Sequence, residues 1–86
     1  MKRTAIILTT QSGDWEALYI DGCLIDEGHS LEDPQYWIDW TKEFSLDSVE
    51  FHELNDTDNE RTLEYGFVPD LEDLTGEYKH LIENQI

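Results

Sequence analysis

The sequence has one cysteine and no long apolar run. Cys23 stands alone, so no intramolecular disulfide can form and nothing indicates an oxidising compartment. No apolar run approaches the roughly 20 residues of a membrane helix. The run behind the N-terminal cations, residues 5–8, is shorter than the roughly 7–15 residues of a signal-peptide core. We therefore expect a soluble, cytoplasmic protein with no membrane partner.

Positive charge is also scarce. Five Lys and Arg residues stand against 21 Asp and Glu residues, which gives a net charge of −16 on 86 residues. The segment from Asp26 to Asp73 carries most of this charge, with Lys42 and Arg61 as its cations. Such a density repels itself, which lowers stability and raises solubility. Aromatic and branched apolar residues recur periodically, so we do not expect disorder, while adaptation to high salt stays an open explanation.

The chain is long enough for one domain, residues 1–86, and its ten aromatic residues can fill a small core without disulfides. Its N-terminal third predicts three antiparallel strands. The Asp-Gly pair at 21–22 lies between apolar runs and favours a type I′ hairpin turn, which pairs Ile20 with Cys23 and Leu18 with Ile25. A three-residue turn at 12–14 then sets Leu8 beside Leu18. One face would collect the core side chains Ile6, Leu8, Leu18, Ile20, Cys23 and Ile25.

The rest of the chain predicts two helices and two more strands. Asp33 suits an N-cap and Pro34 a first helical position, and an apolar face follows. Residues 48–54 and 61–67 alternate as strands around a polar turn at 55–60. A last helix would present Leu71, Leu74, Tyr78, Leu81 and Ile82, with Gly76 weakening it enough for two shorter pieces. We expect an α+β fold with an antiparallel sheet in the order β-β-β-α-β-β-α, helices packed on one face.

Catalytic and metal-binding motifs are missing from the sequence. Cys23 falls on the predicted apolar face, so we expect a buried thiol. His29, His52 and His80 lack the spacing of a zinc site. Asp56, Asp58 and Glu60 match the first ligands of a calcium loop, but Arg61 replaces its glycine and Phe67 its final glutamate. We expect neither an enzyme nor a bound metal or cofactor, although a desolvated carboxylate would favour an enzyme.

The acidic residues suggest a different role. Phosphates would be repelled, so we expect no direct contact with nucleic acid, whereas a basic groove would be attracted. Carboxylates four apart on a helix, such as Asp39 and Glu43, have Cβ atoms ~5–6 Å apart. Acids two apart on an extended segment, such as Asp56, Asp58 and Glu60, repeat at ~6.5 Å. Both distances are close to the interval between successive phosphates on a strand. The predicted partner-binding residues are Asp39, Glu43, Glu50, Glu53, Asp56, Asp58, Glu60 and Glu64.

Three further acids and one tryptophan are secondary candidates. Asp70, Glu72 and Asp73 rank behind the others because they can serve as helix caps. Trp15 falls opposite Gly28 on the less apolar face, where it would anchor a partner if it were exposed. We expect Trp15 to pack in the core instead.

Two groups of proteins resemble this chain. Its size and acidity are similar to those of phage-encoded DNA-mimic inhibitors. Residues 14–44 are similar to HicB-type antitoxins, in which a meander leads into the first helix through a step matched here by Gly28, Ser30, Leu31 and Glu32. The family's Pro-Gly-Cys turn is Asp21-Gly22-Cys23 here, Pro34 stands where Ala is usual, and no DNA-binding segment follows.

Both resemblances imply an acidic fold that covers the basic face of a nucleic-acid-binding protein. Our hypothesis is a phage or mobile-element inhibitor that acts by DNA-like surface charge. The alternatives are a HicB-like antitoxin and a small acidic domain whose charge serves only solubility. The sequence leaves monomer and homodimer equally open.

Overall fold

The computed structural model describes residues 3–29, 39 and 42–85. A four-stranded sheet in the order β3-β2-β1-β4 forms its centre. Asp39 and residues 42–44 are helical, and the helix predicted to start at Asp33 otherwise lies outside the described residues. The elements are β1 (Thr4–Thr9), β2 (Glu16–Ile20), β3 (Cys23–Gly28), β4 (Ser48–Glu53), α1 (Asp56–Tyr65), a 3₁₀ helix (Leu71–Asp73) and α2 (Tyr78–Glu83). The α+β class is as predicted, but the element order is not.

The β2–β3 hairpin follows the prediction at its turn and departs from it further along. Asp21 and Gly22 have φ of 54° and 82°, as a type I′ turn requires. The predicted pair Ile20–Cys23 is present, and Tyr19 pairs with Leu24, the next pair in the same register. A β-bulge then inserts Ile25, so that Leu18 pairs with Asp26 and the predicted pairing beyond this point is wrong.

The β1–β2 pairing is shifted by one residue from the prediction. Leu8 lies opposite Ala17 and Ile7 opposite Leu18. The connection is wider than a three-residue turn, because the Thr10 amide donates to the Trp15 carbonyl at 2.9 Å. Since side chains alternate between faces, a shift of one residue moves every side chain to the other face. The predicted single apolar face is therefore wrong, and Cys23 is exposed rather than buried.

The sheet is covered on both faces, not on one as predicted. One cluster contains Ile6, Leu8, Ala17, Tyr19, Leu54, Val68, Leu74, Tyr78 and Ile82. The opposite cluster contains Ala5, Ile7, Leu18, Ile20 and Leu46, with Phe44, Val49 and Ile25 packed against it. Strands buried on both faces are apolar at every position, so alternation carries no information about which face a residue takes. That is why the sequence pattern did not reveal the register.

Strand β4 pairs with β1 in the parallel direction, from Thr4–Ser48 to Thr9–Glu53. The sheet is therefore mixed, whereas the prediction was purely antiparallel. β3 and β4 form opposite edges of the sheet, so the connection between them joins its two edges. This crossover allows β4 to enter beside β1 in the same direction.

The largest correction concerns residues 55–67, which were predicted as a turn followed by a strand. They form α1, with Asn55 as the N-cap, its side chain accepting from the Asp58 amide at 2.8 Å. Gly66 ends the helix at φ 79°, and its amide donates to the Thr62 carbonyl. The alternating Leu63, Tyr65 and Phe67 suggested a strand face, but all three are more than half exposed. The capping residues Asn55 and Gly66 therefore determine that this segment is a helix.

The C-terminal segment divides as the sequence suggested. The 3₁₀ helix and α2 are separate, with Gly76 between them. A Cβ at Gly76 would overlap the ring of Tyr78, so the close approach of this ring to the backbone requires glycine here. Leu74, Tyr78 and Ile82 are buried as predicted, whereas Leu81 is exposed.

Candidate protein-binding surface

Asp58 is the predicted partner-binding residue that the structure removes from the surface. It is fully buried, between the first turn of α1 and the segment that precedes α2. Its carboxylate accepts from the Thr75 amide at 3.0 Å, the Thr75 hydroxyl at 2.9 Å and the Gly76 amide at 3.3 Å. The Tyr78 hydroxyl also donates to it. Asp58 therefore joins two segments of the fold and is not available to a partner.

Polar contacts, rather than an apolar stripe, hold α1 in place. Asp58 and Thr62 are its buried residues, and the Thr62 hydroxyl donates to the Asp58 carbonyl at 2.8 Å. The backbone amide of Gln11 donates to Asn59 Oδ1 and its side-chain Nε2 donates to Asp56 Oδ1, both at 2.8 Å. A helix without an apolar stripe gives no 3.6-residue signal, which explains why the sequence reading missed it. The Asn55 cap and Gly66 are the signals that could have revealed it.

The other seven predicted acids are all exposed. Glu50 and Glu53 lie on β4, and Asp39 and Glu43 are helical. Asp56, Glu60 and Glu64 follow one another at intervals of four along α1, a rise of about 6 Å each. They form one ridge, which we call the acidic ridge. The predicted extended repeat of Asp56, Asp58 and Glu60 is wrong, because on a helix residues two apart point to different sides.

Three cations of the described chain, Arg3, Arg61 and Lys79, contact groups other than the acidic ridge. The Arg3 guanidinium pairs with Asp21 and holds the pKa of that carboxyl below its usual value through their hydrogen bond. Arg61 Nη1 donates to the Asp73 carbonyl and Lys79 Nζ to the Glu72 carbonyl, both at 3.0 Å. Between described residues the ion pair is Arg3–Asp21. His80 Nδ1 lies 3.7 Å from Glu83 Oε1, a pair that carries opposite charges only when the imidazole is protonated. No ion pair there neutralises Glu43, Glu50, Glu53 or the acidic ridge.

The three acids named as secondary candidates lie at the 3₁₀ helix, one directly before it and two within it. Asp70 precedes it without a capping bond from its side chain, and Asp70, Glu72 and Asp73 are all exposed. One carboxylate oxygen from each lies within 4.8 Å of the other two. They are the described carboxylates best placed to share a divalent cation, through oxygen ligands alone. Arg61 and Lys79 hold the main chain of this turn, while the three side chains face solvent.

An exposed aromatic pair beside this turn was missed by the sequence reading. Tyr65 and Phe67 are 58% and 52% exposed and stack with centroids 6.1 Å apart and planes 28° apart. They border a groove of about 430 Å³, which we call the aromatic groove, lined by Arg61, Tyr65, Phe67, Pro69, Asp70 and Asp73. The signal was present as two aromatic residues flanking a helix-ending glycine.

Trp15 is half-buried and packs against the first core cluster, in agreement with the expected core role. Its Nε1 donates to Glu27 Oε1 at 2.9 Å, and its ring meets the edge of His29 at 4.8 Å. Glu16, rather than Trp15, lies opposite Gly28. A hollow of about 150 Å³ separates Trp15 and His29 from Leu63. In the part of the chain described, His29, His52 and His80 belong to no common ligand cluster.

The fold and this surface define an α+β protein with a mixed four-stranded sheet and an exposed set of carboxylates. No protein-family model, curated protein or solved structure matches the chain. The similarity to HicB-type antitoxins therefore has no support from a family match, and three of its four matching residues lie outside the described ones. Across residues 3–29, 39 and 42–85, no helix has the length and apolar character that crossing a bilayer requires.

Proposed function

We propose that this protein binds a basic nucleic-acid-binding protein and occludes its nucleic-acid site, as a phage or mobile-element inhibitor would. One observation carries the proposal: the acidic ridge and the acids of β4 are exposed, while Arg61 and Lys79 donate to main-chain carbonyls instead of to carboxylates. Negative charge therefore stays available to a cationic groove. Complementary charge speeds encounter and selects the partner more than it adds affinity.

The mechanism follows from electrostatics. The carboxylates of the acidic ridge repeat about every 6 Å along a rigid helix, so they present charge in a line without rearranging. Binding releases the anions condensed on the partner's groove, and added salt weakens it, as it weakens the binding of that groove to nucleic acid. The exposed ridge is anchored at Asp58, which keeps the line rigid.

The test is an affinity capture from a bacterial lysate, eluted by a salt gradient and identified by mass spectrometry. Glu60→Gln with Glu64→Gln removes two charges from the ridge. Glu77→Gln with Glu83→Gln removes two charges from exposed positions around α2 and serves as the matched control. We expect the ridge variant to weaken binding to the captured protein by roughly five- to tenfold at low salt, and the control by less than twofold.

A dominant captured protein that acts on DNA or RNA and elutes as salt rises would support the proposal. An empty column, or a partner whose affinity is the same at low and high salt, would contradict it and favour charge that serves only solubility. Equal effects of the ridge and control variants would show that net charge matters and the ridge does not.

A further inference from the structure

We propose that the aromatic groove receives an arginine side chain of the basic partner, with the guanidinium stacked on Tyr65 and Phe67 and hydrogen-bonded to Asp70 and Asp73. This inference rests on the proposed function and adds the chemistry of one contact. The acidic ridge attracts any cationic surface, whereas the groove selects one kind of side chain.

The aromatic pair is shaped for a planar cation. Tyr65 and Phe67 are both more than half exposed, although large aromatic side chains usually bury most of their area. Their rings are nearly parallel, at 28°, and border a groove large enough for a side chain. Ring faces attract cations through their quadrupole, and arginine makes such contacts more often than lysine.

Charge complementarity identifies the occupant. Asp70 and Asp73 line the groove, and Glu72 adds a carboxylate oxygen within 4.8 Å of theirs. Arg61 also lines the groove, but its Nη1 is held by the Asp73 carbonyl. A second copy of this chain carries a charge of −16 and would be repelled, as would nucleic acid or an anionic lipid surface. A cationic protein segment is the occupant that the surroundings favour.

Arginine fits the groove better than lysine for a geometric reason. A guanidinium presents a flat face to the rings and a fork of donors at its edge, which can bond two carboxylates at once. A lysine ammonium is a compact, strongly hydrated charge that gains less from an exposed ring. A purely electrostatic surface would treat the two side chains alike, and this difference makes the inference testable.

The experiment is a ¹⁵N NMR titration of the whole chain with acetylated, amidated hexa-arginine and hexa-lysine. We expect hexa-arginine to bind at least fivefold more tightly and to shift the amides around Tyr65, Phe67 and Asp73. Changing Tyr65→Ala together with Phe67→Ala removes two exposed cation–π contacts and should weaken hexa-arginine binding about tenfold. Leu24→Ala removes an exposed apolar side chain from β3 and serves as the control, with Kd unchanged.

A second comparison separates the groove from general charge. Asp73→Asn and Glu43→Gln each remove one exposed negative charge. If the groove binds arginine, Asp73→Asn weakens hexa-arginine binding more than Glu43→Gln does. Both aromatic positions are exposed, so the variants are expected to fold, and dispersed amide spectra would verify this.

The two proposals fail in different ways. If hexa-arginine and hexa-lysine bind equally and the aromatic variant keeps the wild-type Kd, the groove inference is overturned. The acidic-surface proposal survives that result if Glu60→Gln with Glu64→Gln still weakens both peptides. If neither peptide binds at low salt, both proposals are overturned.

Discussion

Changing Asp58 to Asn should destabilise the fold far more than any other single neutralisation of an acid in α1. The substitution keeps the shape of the side chain and removes one negative charge. An amide group would replace one carboxylate oxygen. It would meet the amide of Gly76 as donor against donor, and the hydroxyl of Tyr78 would lose the acceptor to which it donates. Since the site is fully buried, water cannot replace the lost acceptor.

The magnitude follows from the contacts. Oδ2 of Asp58 accepts from the amides of Thr75 and Gly76 and from the hydroxyl of Tyr78, while Oδ1 also accepts from Thr75. Losing two hydrogen bonds to a charged group costs roughly 3–6 kcal/mol, and relief of the carboxylate's desolvation offsets part of this. We expect a net loss of about 3 kcal/mol. A chain of this length has a total stability of roughly 4–13 kcal/mol, so the loss is a large fraction.

Urea unfolding followed by tryptophan fluorescence measures the loss. With an m-value of about 1.5 kcal/mol/M, the midpoint should fall by roughly 2 M, and the melting temperature by about 12–24 °C. Glu60→Gln is the matched control, because it removes one charge from an exposed position on the same helix. Its free energy of unfolding should stay within ~0.5 kcal/mol of wild type.

The result that would refute this reasoning is a midpoint for Asp58→Asn equal to that of Glu60→Gln. Asp58 would then belong to the solvated acidic face, as the sequence alone suggested. The network around it would contribute nothing to stability.

Three further predictions follow from the same packing and charge. Gly76→Ala should cost about 2 kcal/mol or more, because the new methyl group overlaps the Tyr78 ring, and thermal unfolding would measure it. Burial raises the pKa of Tyr19, helped by the charge of Glu27, and burial together with the hydrogen bond to Asp58 raises that of Tyr78. These tyrosines ionise near pH 10 only after unfolding, so the stability they contribute is intact below that pH and is lost as pH rises above it. The part of the tyrosinate absorbance that comes from Tyr19 and Tyr78 should appear together with the loss of native circular dichroism. Because the net charge is −16, raising NaCl from about 10 mM to about 500 mM should raise the melting temperature by several degrees.

Each of these has a contrary outcome. Gly13→Ala, at a position with open space around it but positive φ, serves as the comparison for Gly76→Ala and separates backbone strain from contact. Equal losses of stability in the two variants would show that overlap with the Tyr78 ring is not the cause of the loss at Gly76. Full tyrosinate absorbance at pH 11 with native circular dichroism would contradict the burial of Tyr19 and Tyr78. A melting temperature that is constant or falls with salt would show that self-repulsion does not limit stability.

Some of the structure was readable from the sequence because its signals are local. The Asp21-Gly22 turn and the division of the C-terminal segment at Gly76 each depend on residues adjacent in the chain. The exposure of seven acids follows in the same way from the cost of burying charge.

Capping at residues 55–66 was a local signal as well, but a stronger pattern concealed it. Leu63, Tyr65 and Phe67 alternate like a strand, and the predicted strand over residues 61–67 takes no account of the Asn55 cap. In the structure these side chains have no core to enter and stay exposed, which is what makes the aromatic groove available. The missed helix and the missed groove have one cause.

The sequence by itself determined the α+β class, the hairpin turn and a predominantly acidic surface, since each depends on composition or on neighbouring residues. Only the tertiary structure decided the parallel entry of β4 beside β1, the one-residue shift of β1 against β2 and the burial of Asp58. The first two depend on covering both faces of the sheet, which leaves no alternation to read. The third depends on donors from Thr75, Gly76 and Tyr78, which come close to Asp58 only when the chain is folded.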